Sequence, residues 1–127
     1  MKRIERIAML SLASLALGAA SLPAASAGDA ARGANTYGTL CSGCHAVDEN
    51  RVGPAHRGVF GRKAGSAPGY GYSSAVASSS IVWSEETLDR WLTNPEKLIP
   101  GQRMSISVAK ETDRQDLIAY LKSVSRK

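Results

Sequence analysis

The chain has 127 residues, a length that predicts a single domain, and 16 basic against 11 acidic residues give it a formal net charge of +5 at pH 7. The charge is mild, and no basic run interleaved with aromatic residues supports nucleic acid as a partner. It would suit transient docking on an acidic protein surface. The 2 cysteines both belong to one short motif, so no disulfide framework competes for them.

The first 27 residues have the pattern of a cleavable export signal. Basic residues precede an apolar run over residues 7–22, and Ala25-Ser26-Ala27 supplies a small-x-small cleavage site. The apolar run is shorter than the roughly 20 residues that a bilayer-spanning helix needs, so a retained membrane anchor is the less favoured alternative. We expect cleavage after Ala27 and a mature domain over residues 28–127, without stable membrane insertion.

A first helix is predicted between Asp29, a good N-cap residue, and about Leu40. Gly33 lies inside this helix, where glycine costs roughly 1 kcal/mol relative to alanine. Two interpretations stay open for it. Either another helix approaches closely at this point, or the glycine is idle.

The motif Cys41-Ser42-Gly43-Cys44-His45 follows the first helix. Two cysteines at this spacing with an adjoining histidine are typical of covalent c-type haem attachment. The thiols form thioethers with the haem vinyl groups, and the imidazole ligates the iron. A thioredoxin-like redox pair shares the spacing but needs a βαβ setting, which the sequence pattern does not favour. An exported chain with this motif predicts one haem c (iron) per chain and the bacterial periplasm.

Residues 46–80 are rich in turn residues such as Gly53-Pro54 and Pro68-Gly69. An irregular segment of this length is unusual in a compact domain. It indicates a chain that wraps a large rigid ligand, with Val59 and Phe60 as its apolar anchors. A short helix is expected over residues 73–77.

The second half of the chain predicts two further helices. One begins at Ser84 and is ended by Asn94-Pro95. An irregular segment follows over residues 98–104. The last helix is expected to begin at Thr112, with Gln115 completing a capping box. Its expected buried residues are Leu117, Ile118, Tyr120, Leu121 and Val124. Because no strand pattern is convincing, the predicted class is all-α.

Met104 is the candidate for a second iron ligand. It would be the one methionine left after removal of the signal, and it follows a Pro100-Gly101 turn about 60 residues after the cysteine motif. A lone methionine is ordinarily a core filler. In a chain with a haem-attachment motif, ligation of the iron is the favoured interpretation.

With these landmarks the chain resembles the class I cytochromes c, and among them the small soluble bacterial proteins similar to mitochondrial cytochrome c. The match covers nearly all of residues 28–127. The landmarks are Gly33, Tyr37, residues 41–45, Gly53-Pro54, residues 58–62, residues 67–70, Tyr72, residues 81–83, Thr87-Leu88, Asn94-Pro95, residues 99–104 and residues 116–122.

The resemblance implies a fold in which the first and last helices cross and long loops wrap one covalently bound haem. Gly33 and Tyr37 would pack against Leu117 and Tyr120. Pro54 would offer its carbonyl to the second ring nitrogen of His45, which would fix the tautomer of the ligand.

Three further side chains are implied as contacts of a haem propionate. Tyr72 and Trp83 would donate hydrogen bonds to it, and Arg62 would offset its charge. The alternatives are two ordinary core aromatics and a surface arginine.

The chain also departs from the family pattern at several positions. His56 replaces a leucine beside the haem's histidine ligand, where it could be a satisfied structural histidine, a pH-sensitive modulator of the redox potential or a rival axial ligand. Trp91, Val76 and Gln102 replace a tyrosine, an asparagine and a threonine near Met104. We expect these departures together to change the redox potential.

The docking surface departs from the family as well. Leu40 and Glu96 stand where the family often carries docking lysines. The remaining candidates for docking charges, each of which also fits a plain solvated residue, are Arg51, Lys63, Lys97 and Arg103.

The function implied is electron transport, since an iron held by both His45 and Met104 has no open position for a substrate. We expect a monomer, and we do not expect an enzyme. The electron donor would be a cytochrome bc-type complex. The acceptor would be a terminal oxidase, a photosynthetic reaction centre or a periplasmic reductase. A peroxidase-like enzyme or a gas or redox sensor remains as the alternative, and either would need a displaceable Met104.

Overall fold

The structure is a computed structural model that describes residue 20 and residues 27–127. Apart from Ala20 and Ala27, the predicted export signal lies outside the described residues, so it stays a prediction. The described helices are α1 (Ala30–Leu40), α2 (Ser74–Ala77), α3 (Glu85–Thr93), α4 (Pro95–Leu98) and α5 (Glu111–Ser123).

The class of the described part is all-α, as predicted. Its strand-like pairing is limited to an isolated bridge between Lys63 and Val82. Long irregular segments connect α1 to α2 and α4 to α5. No helix within the described ranges is both long and apolar enough to cross a membrane.

The first three helices begin at the side chains that the sequence indicates. Asp29 accepts a hydrogen bond from the Arg32 backbone N–H at 2.8 Å, and Ser73 caps α2. Ser84 and Thr87 form a reciprocal capping box at the start of α3. These caps satisfy backbone donors that have no partner inside the helix.

The short helix α4 was not predicted. Asn94 ends α3 and then caps α4, because its side chain accepts from the Lys97 backbone N–H at 3.0 Å. Pro95 occupies the first turn, where its fixed φ favours a helix and its missing N–H costs nothing. The same Asn-Pro pair therefore ends one helix and begins the next.

The predicted capping box of the last helix is wrong. Helix α5 begins at Glu111, and its N-cap residue Lys110 makes no side-chain cap. Gln115 Nε2 instead donates to Asp89 Oδ1 at 3.5 Å. Glu111 and Asp113 place negative charge in the first turn, which the positive end of the helix favours.

Helices α1 and α5 cross at Gly33, as expected. A Cβ atom at Gly33 would lie 1.9 Å from the Asp116 backbone oxygen and 2.9 Å from Tyr120 Cβ. The rings of Tyr37 and Tyr120 also meet, with centroids 5.0 Å apart. The backbones approach so closely here that only glycine fits, and the glycine is therefore not idle.

Asp116 ties the two crossing helices together. Its carboxylate accepts hydrogen bonds from the Asp29 backbone N–H at 2.7 Å, from Arg32 Nε at 2.8 Å and from Arg32 Nη2 at 2.9 Å. Asp116 is itself buried, so these donors replace the water that its charge would otherwise need. The hydrogen bond from Arg32, followed by that from Asp29, lowers the pKa of the Asp116 carboxyl.

The core is a single apolar cluster that joins α3 and α5 to the long loop. Val59 is buried and Phe60 packs against the cluster half-buried, which agrees with their predicted role as loop anchors. Of the predicted α5 residues, Leu117, Ile118 and Leu121 are buried. Tyr120 and Val124 are only half-buried.

Candidate haem site

A cavity of about 370 Å³ lies between α1, the long loop, α3, the Met104 segment and α5. Its walls are mainly apolar and aromatic. All eight residues predicted to form the site line it: Cys41, Cys44, His45, Pro54, Arg62, Tyr72, Trp83 and Met104. Residues from distant parts of the chain thus converge on one space.

His45 is held in one tautomer at the cavity wall. Its Nδ1 lies 2.8 Å from Pro54 O, and a carbonyl only accepts, so Nδ1 carries the proton. The Nε2 lone pair is then left for a metal. Burial lowers the pKa of His45, although the Pro54 hydrogen bond opposes this, so the neutral form that ligates metals is favoured.

Gly53 allows His45 to take this position. A Cβ at Gly53 would lie 2.2 Å from His45 Cε1 and 2.6 Å from both ring nitrogens. The backbone therefore lies against the imidazole, and a side chain would displace the ring.

Cys41 and Cys44 are presented by the turn that ends α1. The Cys41 N–H donates to Tyr37 O, and the His45 N–H donates to Cys41 O, both at 2.9 Å. The two thiols are not joined to each other. Burial, reinforced by Cys44, raises the pKa of the Cys41 thiol to about 11. A redox Cys-x-x-Cys pair needs a lowered thiol pKa and a βαβ setting. The raised pKa of Cys41 and the all-α fold of the described residues both disfavour the thioredoxin-like alternative.

Arg62 brings an unsatisfied donor to the cavity. Its Nη1 donates to Arg57 O at 3.2 Å and its Nη2 to Ala55 O at 3.1 Å. Its Nε is buried and, within the described part of the chain, has no partner. A buried N–H of a charged group calls for an acceptor, and a haem propionate would be one.

Tyr72 and Trp83 line the same cavity as Arg62, and the Trp83 backbone N–H donates to Arg62 O at 2.9 Å. Tyr72 Oη accepts from the Ala67 N–H at 3.0 Å, which leaves its own proton to donate elsewhere. Trp83 is 8% exposed and lines the cavity. Together with the orphaned Arg62 Nε, these groups fit a ligand that is apolar in its body and carboxylated at one edge.

Met104 lies on the irregular segment that connects α4 to α5 and lines the same cavity. The segment turns at Gly101, whose φ of +90° favours glycine. Met104 N donates to Gln102 Oε1 at 2.5 Å. Glu96 in turn accepts from Gly101 N at 2.9 Å and from Gln102 Nε2 at 3.3 Å. Sequence reasoning missed this role of Glu96, for which its position five residues before Gly101 is the only signal.

His56 lies against His45. Its ring stacks on that of His45, with centroids 4.1 Å apart, and its Nδ1 lies 2.9 Å from Tyr37 Oη. Burial, together with the nearby charges of His45 and Arg62, lowers the pKa of His56 to about 3. These contacts hold His56 as a hydrogen-bonded neutral histidine against His45, which disfavours the alternative of a rival axial ligand.

The other departures near Met104 also reach the cavity. Val76 is buried there, and the Trp91 ring packs 5.3 Å from that of Trp83 between centroids. The Val76 and Trp91 side chains both contribute to the apolar lining of the cavity.

An all-α domain that presents a Cys-x-x-Cys-His turn, a tautomer-locked histidine and a methionine to one cavity has the design of a monohaem c-type protein. The family model described as cytochrome c matches residues 30–125. The chain therefore belongs to the cytochrome c family, whose members carry electrons and hold haem c covalently.

Relatives agree with this assignment over most of their length. A cytochrome c of Gibberella zeae is 45% identical over 103 residues, which are 78% of this chain and 97% of the relative. One of Arabidopsis thaliana is 42% identical and covered to 92%. Among solved structures, cytochrome cH from Methylobacterium extorquens superposes with a TM-score of 0.73 at 40% identity, covering 76% of this chain and 99% of that structure. The predicted family is confirmed.

Proposed function

We propose that the chain is a periplasmic electron carrier that holds one haem c through Cys41 and Cys44, with His45 and Met104 as the axial ligands. The convergence of these four side chains on one cavity is the observation that carries this proposal. When bound, the haem iron takes up and releases one electron.

Each remaining residue of the site has a supporting role. Pro54 holds the His45 tautomer through the 2.8 Å hydrogen bond. Arg62 Nε, the Tyr72 hydroxyl and Trp83 would receive a propionate in the interior, where a carboxylate without donors would be costly. The loop over residues 46–80 excludes water, with Val59 as its buried anchor.

The proposed ligand set closes the iron. With His45 and Met104 both bound, a substrate has no coordination position, which supports transport rather than catalysis. An enzyme or sensor would require Met104 to leave, whereas the Glu96 and Gln102 hydrogen bonds restrain its segment.

The cavity mouth supports brief docking on redox partners. Leu40, Val52 and Ile106 line the cavity and remain 41%, 75% and 42% exposed. Arg103 adds a positive charge beside them. We propose a cytochrome bc-type complex as donor and an oxidase, reaction centre or reductase as acceptor, bound weakly and less rapidly at high salt. The carrier would act as a monomer.

Met104→Ala tests the ligand set. The variant should keep covalent haem but bind carbon monoxide in the ferrous form, because one axial position is open. The ferric wild type should show the weak long-wavelength band of an iron–methionine bond, and its ferrous form should resist carbon monoxide.

Cys41→Ala and Cys44→Ala are the matched controls, since they should weaken covalent retention of haem instead. Ready carbon monoxide binding by the wild type at neutral pH would refute the closed carrier. Loss of covalent haem in Met104→Ala would contradict the separation of attachment from ligation.

A further inference from the structure

Two neighbours restrain the ring of His45, one at its edge and one at its face. At the edge, Nδ1 donates to Pro54 O at 2.8 Å. At the face, the His56 imidazole lies nearly parallel, with an interplanar angle of 19° and centroids 4.1 Å apart. Stacked rings in this arrangement resist rotation of either one about its side-chain bonds.

Tyr37 determines the tautomer of His56. Its hydroxyl oxygen lies 2.9 Å from His56 Nδ1, and Tyr37 is only 6% exposed. Within residues 27–127 this is the single hydrogen bond that the hydroxyl makes, so its buried proton is satisfied only when it points to Nδ1. Tyr37 therefore donates, Nδ1 accepts, and His56 is neutral with its proton on Nε2.

Tyr37 is in turn fixed by its own packing. It meets the His56 ring edge-on, with centroids 5.5 Å apart, and packs on Tyr120 at 5.0 Å. Tyr120 belongs to α5 and Tyr37 to α1. The His56 ring is thus hydrogen-bonded to a tyrosine that lies where two helices cross.

We propose that His56, locked by Tyr37, is a positioning residue that fixes the plane of the His45 ring and favours the ferric state of the iron. This rests on His45 being the axial ligand proposed above. His45 carries more positive charge when the iron that it ligates is ferric. The electron-rich face of the stacked imidazole attracts that charge, as aromatic faces attract cations. An aliphatic side chain would fill the space but supply neither the π face nor an acceptor for Tyr37.

The test compares three variants of the mature holoprotein: His56→Leu, Tyr37→Phe and Tyr120→Phe. Redox titration gives the midpoint potential, and electron paramagnetic resonance of the ferric form reports the orientation of the axial imidazole. At a fixed applied potential, His56→Leu should lower the ferric-to-ferrous ratio several-fold, which means that the midpoint potential rises. A tenfold change in this ratio corresponds to a shift of about 59 mV in the midpoint potential.

Tyr37→Phe should move the potential part of the way and alter the resonance g values, because the His56 ring remains but is no longer held. Tyr120→Phe makes the same chemical change one ring further away and should leave both measurements unchanged. A purely structural role for His56 would change unfolding but not the potential.

The outcomes separate this role from the proposed ligation. Absence of the long-wavelength band in the wild type would overturn the ligation by Met104. If the band is present in every variant but the potential of His56→Leu is unchanged or lower, the tuning role is wrong and the ligation stands. Should His56→Leu fail to fold, unchanged g values and potential in Tyr37→Phe would refute the role.

Discussion

At the scale of single residues, the position of the His45 ring depends on the lack of a side chain at Gly53. Gly53 brings the backbone against the His45 ring, while the neighbouring Pro54 carbonyl accepts its proton at 2.8 Å. Position and tautomer of the imidazole are therefore both set by two consecutive loop residues. This explains how an irregular segment can orient a ligand as well as a helix does.

Gly53→Ala should displace His45. The new methyl group would lie 2.2 Å from Cε1, so either the ring or the loop must move. Overpacking of this kind typically costs about 1–3 kcal/mol. Guanidinium unfolding of the holoprotein should show that loss, together with a changed spectrum of the axial ligands.

Gly71→Ala is the matched control for this substitution. A Cβ at Gly71 meets nothing within 4 Å, and its φ lies outside the positive region. Equal stability and equal spectra in the two variants would show that Gly53 does not position His45.

Also at the residue scale, site residues could be predicted where a sequence motif identifies their chemistry. They could not be predicted where their role depends on a tertiary contact. The Cys-x-x-Cys-His motif predicts haem by itself, and Met104 is a candidate ligand because it is the one methionine of residues 28–127. The Tyr37–His56 hydrogen bond could not be foreseen, because it joins a helix to a loop across 19 positions of sequence. Only the folded chain shows that one departure from the family pattern has a partner.

At the scale of elements, helix boundaries followed from local caps, and the errors came where tertiary contacts took precedence. Asp29 and Ser84 cap their helices as predicted. Gln115 fits a capping box in sequence, but its side chain turns to Asp89 of α3 instead. The spacing of residues in the sequence predicts local hydrogen bonds, but it does not reveal a competing partner on another helix.

The short helix α4 is the element that supports Met104. It presents Glu96, whose carboxylate accepts from Gly101 N at 2.9 Å and from Gln102 Nε2 at 3.3 Å. Gln102 then accepts from Met104 N. A chain of hydrogen bonds thus leads from α4 to the backbone of the proposed ligand.

Glu96→Ala should therefore loosen the Met104 segment. Losing a hydrogen bond of this kind costs about 1 kcal/mol, which is roughly a fivefold increase in the open population. The long-wavelength band should disappear at lower denaturant concentration than in the wild type, before global unfolding. Glu86→Ala removes the same charge from the exposed first turn of α3 and should not change the band. If the band and the fold are lost together in both variants, Glu96 does not restrain the Met104 segment.

At the scale of the whole molecule, the crossing of α1 and α5 joins the two ends of the domain. Asp116 stands at this crossing and receives three hydrogen bonds from Asp29 and Arg32. The two helices are far apart in sequence, so their contact depends on the folded chain and is lost when the domain unfolds. The charge state of Asp116 should therefore affect global stability.

Stability should fall in acid as Asp116 is protonated. Its pKa is lower in the folded protein than the roughly 3.9 of a free aspartate, so the stabilisation is complete above that value and is lost as pH falls through the folded pKa. Asp116→Asn should unfold at lower denaturant concentration than the wild type at pH 7, and this difference should shrink at an acid pH below the roughly 3.9 of a free aspartate.

Glu49→Gln is the control for the acid experiment. Glu49 pairs with Arg51 at 3.8 Å, and both side chains are more than half exposed. Exposed pairs contribute little to stability, so this variant should follow the wild type at both pH values. A gap between Asp116→Asn and wild type that does not vary with pH would contradict the linkage.

Within residues 27–127, close packing starts at the residue that follows the predicted cleavage site. A Cβ at Gly28 would lie 2.0 Å from the backbone oxygen of Gln115, so residue 28 already packs tightly on α5. Ala27, one residue earlier, is exposed. Cleavage after Ala27 would make Gly28 the new terminus and would keep the contacts that the structure describes among residues 28–127.

Mass spectrometry of the holoprotein exported by a bacterial host should give a chain that starts at Gly28. Ala25→Lys, which places a long charged side chain in the small-x-small site, should retain the leader. A terminus at any other residue would contradict cleavage after Ala27, and an uncleaved wild-type chain held in the membrane would show that the first 27 residues are not a removable signal.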